Sequence, residues 1–233
     1  MENSTILKSF LSLFLQDKCP LCDRPAEKIL CRDCDRQLQK HQLPNPKRHW
    51  QNDLPLFVWG KYDGILKRAI ATMKYNNHPQ LGQWFGTQLG LQWRKFFPGQ
   101  QTLTVIPIPM HPEKQKKRGF NQAEIIARQF AQVTGLRHEA HLLQRTKATQ
   151  ALFELTVQQR QRELQRAFSV NPKALSQGFR QPLLLVDDIY TTGTTAAEAQ
   201  RTLTQVGIPV YGIAAIATPK TENIPPWESS RGI

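Results

Sequence analysis

The stretch Leu183-Leu-Leu-Val-Asp-Asp-Ile-Tyr-Thr-Thr-Gly-Thr-Thr195 constrains what this chain can fold into more than any other. Its four apolar residues run without polar alternation, which predicts a strand buried on both faces, as in a parallel sheet covered by helices. Two carboxylates, Asp187 and Asp188, follow at the strand's C-terminal tip, and a Thr/Gly turn then opens a helix over residues 194–206. That order sets the turn where open α/β sheets bind ligands. Gly193, flanked by Thr191, Thr192, Thr194 and Thr195, offers backbone N–H groups, hydroxyls and the positive end of a helix dipole to a phosphate. The adjacent carboxylates suit neighbouring hydroxyls of a ribose, or a hydrated Mg2+. A sugar-phosphate site accounts for the whole block. A plain strand end with a good helix cap accounts for only part of it.

The rest of the chain alternates in the same way. Residues 54–62 read as a strand, 64–73 as a helix, and 81–97 as a second, Trp-containing amphipathic helix. Residues 103–109 form a short β-branched strand closed by two prolines, 111–118 the loop after it, and 121–134 the next helix. After a polar segment at 138–168 comes the strand at 183–186, the helix at 194–206 and a last strand at 210–217. The expected fold class is therefore α/β, a parallel sheet with flanking helices.

All four cysteines fall in residues 19–34, as Cys19-Pro-Leu-Cys22, eight residues, then Cys31-Arg-Asp-Cys34. Disulfide scaffolds spread their bridges, whereas metal sites bunch their ligands. Two such knuckles can close a tetrahedral thiolate shell around one zinc ion, and four thiolates leave no open position, so the zinc would be structural. A redox dithiol and an iron–sulfur site are the alternatives. A module this small buries too little to fold alone and relies on its metal. The polar, proline-bearing residues 41–53 read as a linker. The expected organisation is residues 1–45 as an amphipathic helix and zinc module, 54–218 as the main domain and 219–233 as a disordered tail.

The chain carries 31 Lys+Arg against 18 Asp+Glu, a formal charge of +13, which points to polyanionic partners. The densest cations are Lys114, Lys116, Lys117 and Arg118, followed at once by Gly119 and Phe120. A mobile basic loop of this kind neutralises phosphates, with Phe120 available to stack on a base, and three or four phosphate contacts suffice for weak, salt-sensitive binding of single strands. Arg137, Arg145, Lys147, Arg160, Arg162 and Arg166 extend the surface if they share that face. His111 and His138 lack a partner at ligand spacing and read as loop residues. Residues 6–15 place apolar side chains at helical spacing with Lys8 as the one cation. This fits a helix packed on its own domain better than a peripheral anchor at an inner-membrane surface. No apolar run reaches the ~18 residues of a membrane span, and no leader is recognisable, so the expected location is cytoplasmic. The absence of Gly-x-x-x-x-Gly-Lys-Ser/Thr excludes a P-loop motor.

Residues 183–195 resemble the PRPP-binding signature of type I phosphoribosyltransferases, with Tyr190 in a slot that is usually aliphatic. The chain as a whole resembles the ComF family of competence proteins, on Cys19 through Cys34, Met73-Lys74-Tyr75, Val105-Ile-Pro-Ile-Pro-Met-His111, Lys117-Arg-Gly-Phe-Asn-Gln-Ala123 and Gln150 through Ala167-Phe168. Glu163 departs from the asparagine frequent in that family. The resemblance implies a type I phosphoribosyltransferase-like parallel sheet with flanking helices plus a small N-terminal zinc-binding module. It implies that Asp187 and Asp188 hold the ribose hydroxyls as the catalytic acids, and that Thr191, Thr192, Gly193, Thr194 and Thr195 hold the 5′-phosphate. Lys74 and Tyr75 would contact pyrophosphate, and the basic loop would close over it. It further implies Mg2+ bound with PRPP, a role in DNA uptake with single-stranded DNA as ligand, and a helicase-type ATPase partner. An active Mg-dependent phosphoribosyltransferase on another acceptor is the alternative reading.

Overall fold

Leu183, Leu184, Leu185 and Val186 have no exposed surface because their strand is the middle one of five. The computed structural model describes residues 17–50, 54–99, 102–147, 157–176, 178 and 181–219. Expectations for residues 6–15 and for the tail beyond 219 lie outside them.

In chain order the elements are α1 (Arg32–Gln39), β1 (Leu56–Lys61), α2 (Gly64–Tyr75), α3 (Gln80–Phe96), β2 (Thr104–Pro107), α4 (Pro112–Arg118), α5 (Gln122–Thr134), β3 (Arg137–His138), β4 (Leu143–Arg145), α6 (Val157–Leu164), β5 (Phe168–Val170), α7 (Pro172–Leu175), β6 (Leu183–Ile189), α8 (Thr194–Thr204) and β7 (Val210–Thr218). The main sheet has the order β1-β7-β6-β2-β3, and every neighbouring pair in it is parallel. The period-2 rule divides β6 between two cores. Leu184 and Val186 join Phe57, Trp59, Leu66, Phe85, Trp93 and Phe130 on one face, while Leu183 and Leu185 join Leu56, Val58, Ala196, Ala199 and Leu203 on the other. The α/β fold with a parallel sheet and flanking helices is the one expected.

Three glycines of α3 fix how the first face closes. A Cβ on Gly86 would lie 2.5 Å from the Ile126 carbonyl oxygen and 2.7 Å from Gln129 Cβ, so α3 and α5 meet at backbone distance. Gly82 and Gly90, one turn away on either side, face Ile125 and Val133 in the same way. This glycine ridge was not anticipated from the sequence.

Residues 41–50 are not a free linker. They run antiparallel beside β1, with Leu43 N–H donating to Trp59 O at 2.8 Å, Val58 N–H to Pro46 O at 3.0 Å and Leu56 N–H to His49 O at 3.1 Å. His41 Nδ1 and Lys61 Nζ both meet the Asp63 carboxylate, at 2.7 and 2.9 Å, which pins this segment to the start of α2. The strand's outer backbone groups need partners, and this segment supplies them.

Residues 111–118 are likewise not a loop: Pro112–Arg118 is helical. Pro112 sits at the first position, the Glu113 N–H donates to His111 Nδ1 at 3.4 Å, and Lys116, Lys117 and Arg118 occupy the last turn, where the dipole favours cations. Gly119, at φ +86°, ends the helix. The polar segment at 138–168 also contains structure. His138 belongs to β3 rather than to a loop, and β4 pairs antiparallel with β5 in a separate two-stranded sheet.

Candidate functional site

The acid pair ends β6, and five other pieces of chain converge on it. Lys74 and Tyr75 finish α2, whose buried Leu66, Ala69, Ile70 and Met73 hold that helix against the sheet. Lys114, Lys116, Lys117 and Arg118 come from α4, Arg145 from the end of β4, and Thr195 from the first turn of α8; Ile108, Pro109 and Met110 follow β2. Together these residues line one cavity of about 890 Å3.

Lys74 is not a solvated lysine closing a helix. Its ammonium lies 2.5 Å from Asp188 Oδ2, with the two side chains 16% and 6% exposed. Burial disfavours the charged lysine, but attraction to Asp188 and then Asp187 outweighs it, so its pKa lies above the ordinary lysine value. Asp187 is held well above the usual carboxylate range by desolvation first and repulsion from Asp188 second, only partly offset by the Asp188 N–H and by Lys74. Its Oδ1 accepts that N–H at 2.8 Å. Arg145 and Lys114 are both lowered, mainly by burial; for Lys114 the neighbouring Arg145 and Arg118 add repulsion.

The Arg-Gly-Phe-Asn-Gln segment builds the cavity's other wall. Arg118 Nη1 donates to Gln122 Oε1 at 2.6 Å. Asn121 is buried, caps α5 by accepting from Ala123 N–H at 3.1 Å, and donates from Nδ2 to Ile108 O at 3.1 Å. One asparagine thus ties the start of α5 to the loop that leaves β2. Phe120 does not offer an open ring: it is half-buried and packs on the first core. The exposed aromatic at this corner is Tyr75, 73% exposed, with the Arg118 guanidinium 5.5 Å from its ring centre.

In the turn after β6, Gly193 adopts φ +83° and precedes α8. A Cβ there would strike the Tyr190 hydroxyl and lie 2.7 Å from its Cζ, so the tyrosine in the unusual slot lies directly over the glycine. Burial raises the pKa of the Tyr190 phenol above its ordinary value. Thr192 and Thr194 hydroxyls bond each other at 2.8 Å. Thr195 lines the cavity; Thr191, Thr192, Gly193 and Thr194 form the turn beside it without lining it. Among the middle cations, Arg145 alone of the described side chains faces the cavity. Lys147 instead meets Glu163 at 4.0 Å, which gives that glutamate an ion-pairing partner. Asn77, Gln122 and Arg145 join this wall without a local sequence signal: Arg118 and Gln122 lie on two different helices, separated by the turn at Gly119.

The four cysteines form the second candidate centre. All four sulfurs lie within 4.8 Å of one another, and Cys22 and Cys31 are 3.5 Å apart. Thiolates about 2.3 Å from one zinc ion are separated by roughly 3.8 Å, so this set fits a closed tetrahedral shell. Cys19 N–H donates to Arg24 O at 2.8 Å and Asp23 N–H to Cys19 O at 2.9 Å, folding the first knuckle. The Arg24 side chain and backbone draw the Cys22 thiol down to about 6, whereas burial pushes Cys34 up. Cys19, Cys34 and Leu38 belong to the same core as Trp59 and Leu66, and Trp84 Nε1–H donates to Asp35 at 2.8 Å.

No family model matches the chain. It is 31% identical over 210 residues to competence protein F of Haemophilus influenzae, covering 81% of this chain and 91% of that protein. The chain belongs to the ComF family of competence proteins. Two further relatives are competence protein ComFC of Bacillus subtilis, 24% identical with 81% and 72% covered, and the DNA utilization protein YhgH of Escherichia coli K12, 27% identical with 81% and 78% covered. Among solved structures it is similar to an adenine phosphoribosyltransferase (TM-score 0.40, 14% identity, 63% of this chain and 75% of that one). It is similar also to the adenine phosphoribosyltransferase of Leishmania tarentolae (TM-score 0.38, 12% identity, 80% and 88%). This ComF protein pairs an α/β fold with an N-terminal four-cysteine cluster able to coordinate a metal ion. No helix among its described residues is long and apolar enough to cross a membrane.

Proposed function

We propose that the cavity at the end of β6 is a PRPP-class sugar-phosphate site and that its basic rim also holds single-stranded DNA during DNA uptake in the cytoplasm. The observation that carries this reading is the convergence of six cations, from α2, α4 and β4, around two carboxylates and a helix N-terminus. Asp187 and Asp188 suit a ribose diol, the turn 191–195 suits a phosphate, and Lys74 and Arg145 suit a second phosphate beside them. Regularly spaced phosphates suit Lys116, Lys117 and Arg118, which lie in the last turn of α4 and share the rim with exposed Tyr75. A base stacks on an exposed aromatic ring with little regard for sequence, so Tyr75 takes the role first expected of Phe120. The four-cysteine cluster holds a structural zinc ion in this reading. A helicase-type ATPase supplies the motor this chain lacks.

Fluorescence anisotropy with a labelled oligonucleotide tests the DNA half. Replacing Lys116, Lys117 and Arg118 together by Ala removes up to three phosphate contacts and flattens the log K against log salt slope by about 2, at roughly 0.7 per contact on single strands. An unchanged affinity and slope would sink the assignment. Because both polyanions share the rim, PRPP competes with the oligonucleotide.

A further inference from the structure

A second cavity, of about 1000 Å3, lies between the cysteine module and α3, away from the polyanion site. Pro25, Ala26, Ile29 and Leu30 give it apolar surface on the module side, and Trp84 does so on the other. Thr87 and Gln88 follow Trp84 along the same face of α3, and Leu91 continues that face one turn further on. Leu91 is 51% exposed, so the strip runs out of the cavity onto open surface. The two walls are fastened to each other. Trp84 Nε1–H donates to Asp35 Oδ1 at 2.8 Å, and Gln39 Nε2 donates to Gln88 Oε1 at 2.8 Å, which makes this a fixed groove.

The described residues begin at Asp17, on the lip of that groove. Asp17 O accepts the Ala26 N–H at 2.8 Å, and Lys18 pairs antiparallel with Pro25. Only Gln16 separates Asp17 from the amphipathic stretch 6–15, a reach of roughly 7 Å, so the surface that stretch packs on lies close to Ala26. Ile6, Leu7, Phe10, Leu11 and Phe14 recur at helical spacing. A helix over 6–15 is about 15 Å long, and the strip from Trp84 to Leu91 runs about 10 Å along α3. So short a helix is marginal by itself in water and depends on an apolar surface to form. Its one cation, Lys8, gives it little hold on an anionic membrane.

We propose that residues 6–15 fold back as an amphipathic helix into the groove between the cysteine module and α3, with their apolar side chains on Ile29, Trp84 and Leu91. The tether at Asp17 makes the docking intramolecular, which raises the local concentration of the segment at the groove. Cys31 lines the same cavity, so the docked helix shields one flank of the cysteine cluster.

Hydrogen exchange of the full chain, followed by mass spectrometry at two protein concentrations, tests this. Residues 6–15 should exchange about tenfold or more slowly than an unstructured chain at both concentrations. The double variant Phe10→Asp, Phe14→Asp should abolish that protection and speed exchange in residues 26–31, while residues 183–189 stay protected and report that the domain is folded. Leu91→Asp, a change at an exposed position, should release residues 6–15 from the groove side. Exchange of wild-type residues 6–15 at unstructured rates overturns the proposal, and so does protection that survives Leu91→Asp, which places the segment elsewhere. Protection that disappears on dilution together with a dimer seen by sedimentation gives the groove to a second copy and also overturns it. Protection that appears only with anionic lipid vesicles assigns the segment to a membrane surface, with the same consequence.

Discussion

Replacing Lys74 by Met leaves an unbranched apolar side chain one atom shorter and removes the charge, so that Asp188 faces no ammonium. The two groups stand 2.5 Å apart with their side chains 16% and 6% exposed, so water screens neither well. Removing one member of such a buried pair costs about 3–5 kcal/mol, most of it the penalty of the carboxylate left behind. For a chain of this size each kcal/mol lowers Tm by about 2–4 °C, which places the melting point of Lys74→Met roughly 6–20 °C below wild type. Calorimetry gives Tm, and urea unfolding followed by tryptophan fluorescence gives the free energy. Adding Asp188→Asn should recover much of the loss, because replacing both partners is far less costly than removing one. The folded pKa of Lys74 lies above its ordinary value, so its contribution is complete below the unfolded lysine pKa and fades only as pH rises through the folded one. Lys74's own ionisation therefore leaves the gap between wild type and Lys74→Met constant up to about pH 9, while the loss of its pull on Asp187 makes that gap narrow as pH falls. A single variant within about 1 kcal/mol of wild type, the worth of an exposed pair, or a double variant no better than the sum of the singles, would refute the coupling inferred from the geometry.

Two further outcomes follow from the same structure. Asp187 has a raised folded pKa, so it costs stability as pH climbs from its unfolded value through the folded one. Asp187→Asn should match wild type near pH 4 and become progressively more stable above it in thermal unfolding, while binding PRPP less well; a gap that shrinks with pH contradicts this. Stripping metal from the cysteine cluster should lower the melting point of the whole chain and change tryptophan emission, since Cys19 and Cys34 share a core with Trp59 and Trp84; an unmoved transition would show that the cluster is energetically separate.

The local signals were the legible ones. Four apolar residues, two acids and a glycine turn specify β6 and its loop within thirteen residues, and the cysteine spacing specifies its cluster, because each depends on neighbours in sequence. Arg145 was only one cation among six, because it reaches the cavity through β4 and β5, strands of three residues each, too short for a periodic pattern. The start and stop signals of α4 are present in Pro112, Glu113 and Gly119, yet four cations in five residues suggest a loop unless the helix dipole that favours them in the last turn is counted. Phe120 and the ridge of Gly82, Gly86 and Gly90 depend on what packs against them, which single-chain periodicity does not carry.

Hydrogen exchange of the full chain with and without PRPP is the most direct test of the central claim, that the end of β6 and the helix α4 form one polyanion site. Slowed exchange in residues 187–195 together with 112–119, and none in the cysteine module, is the predicted result. Protection absent from both segments, or confined to residues 19–34, would contradict it.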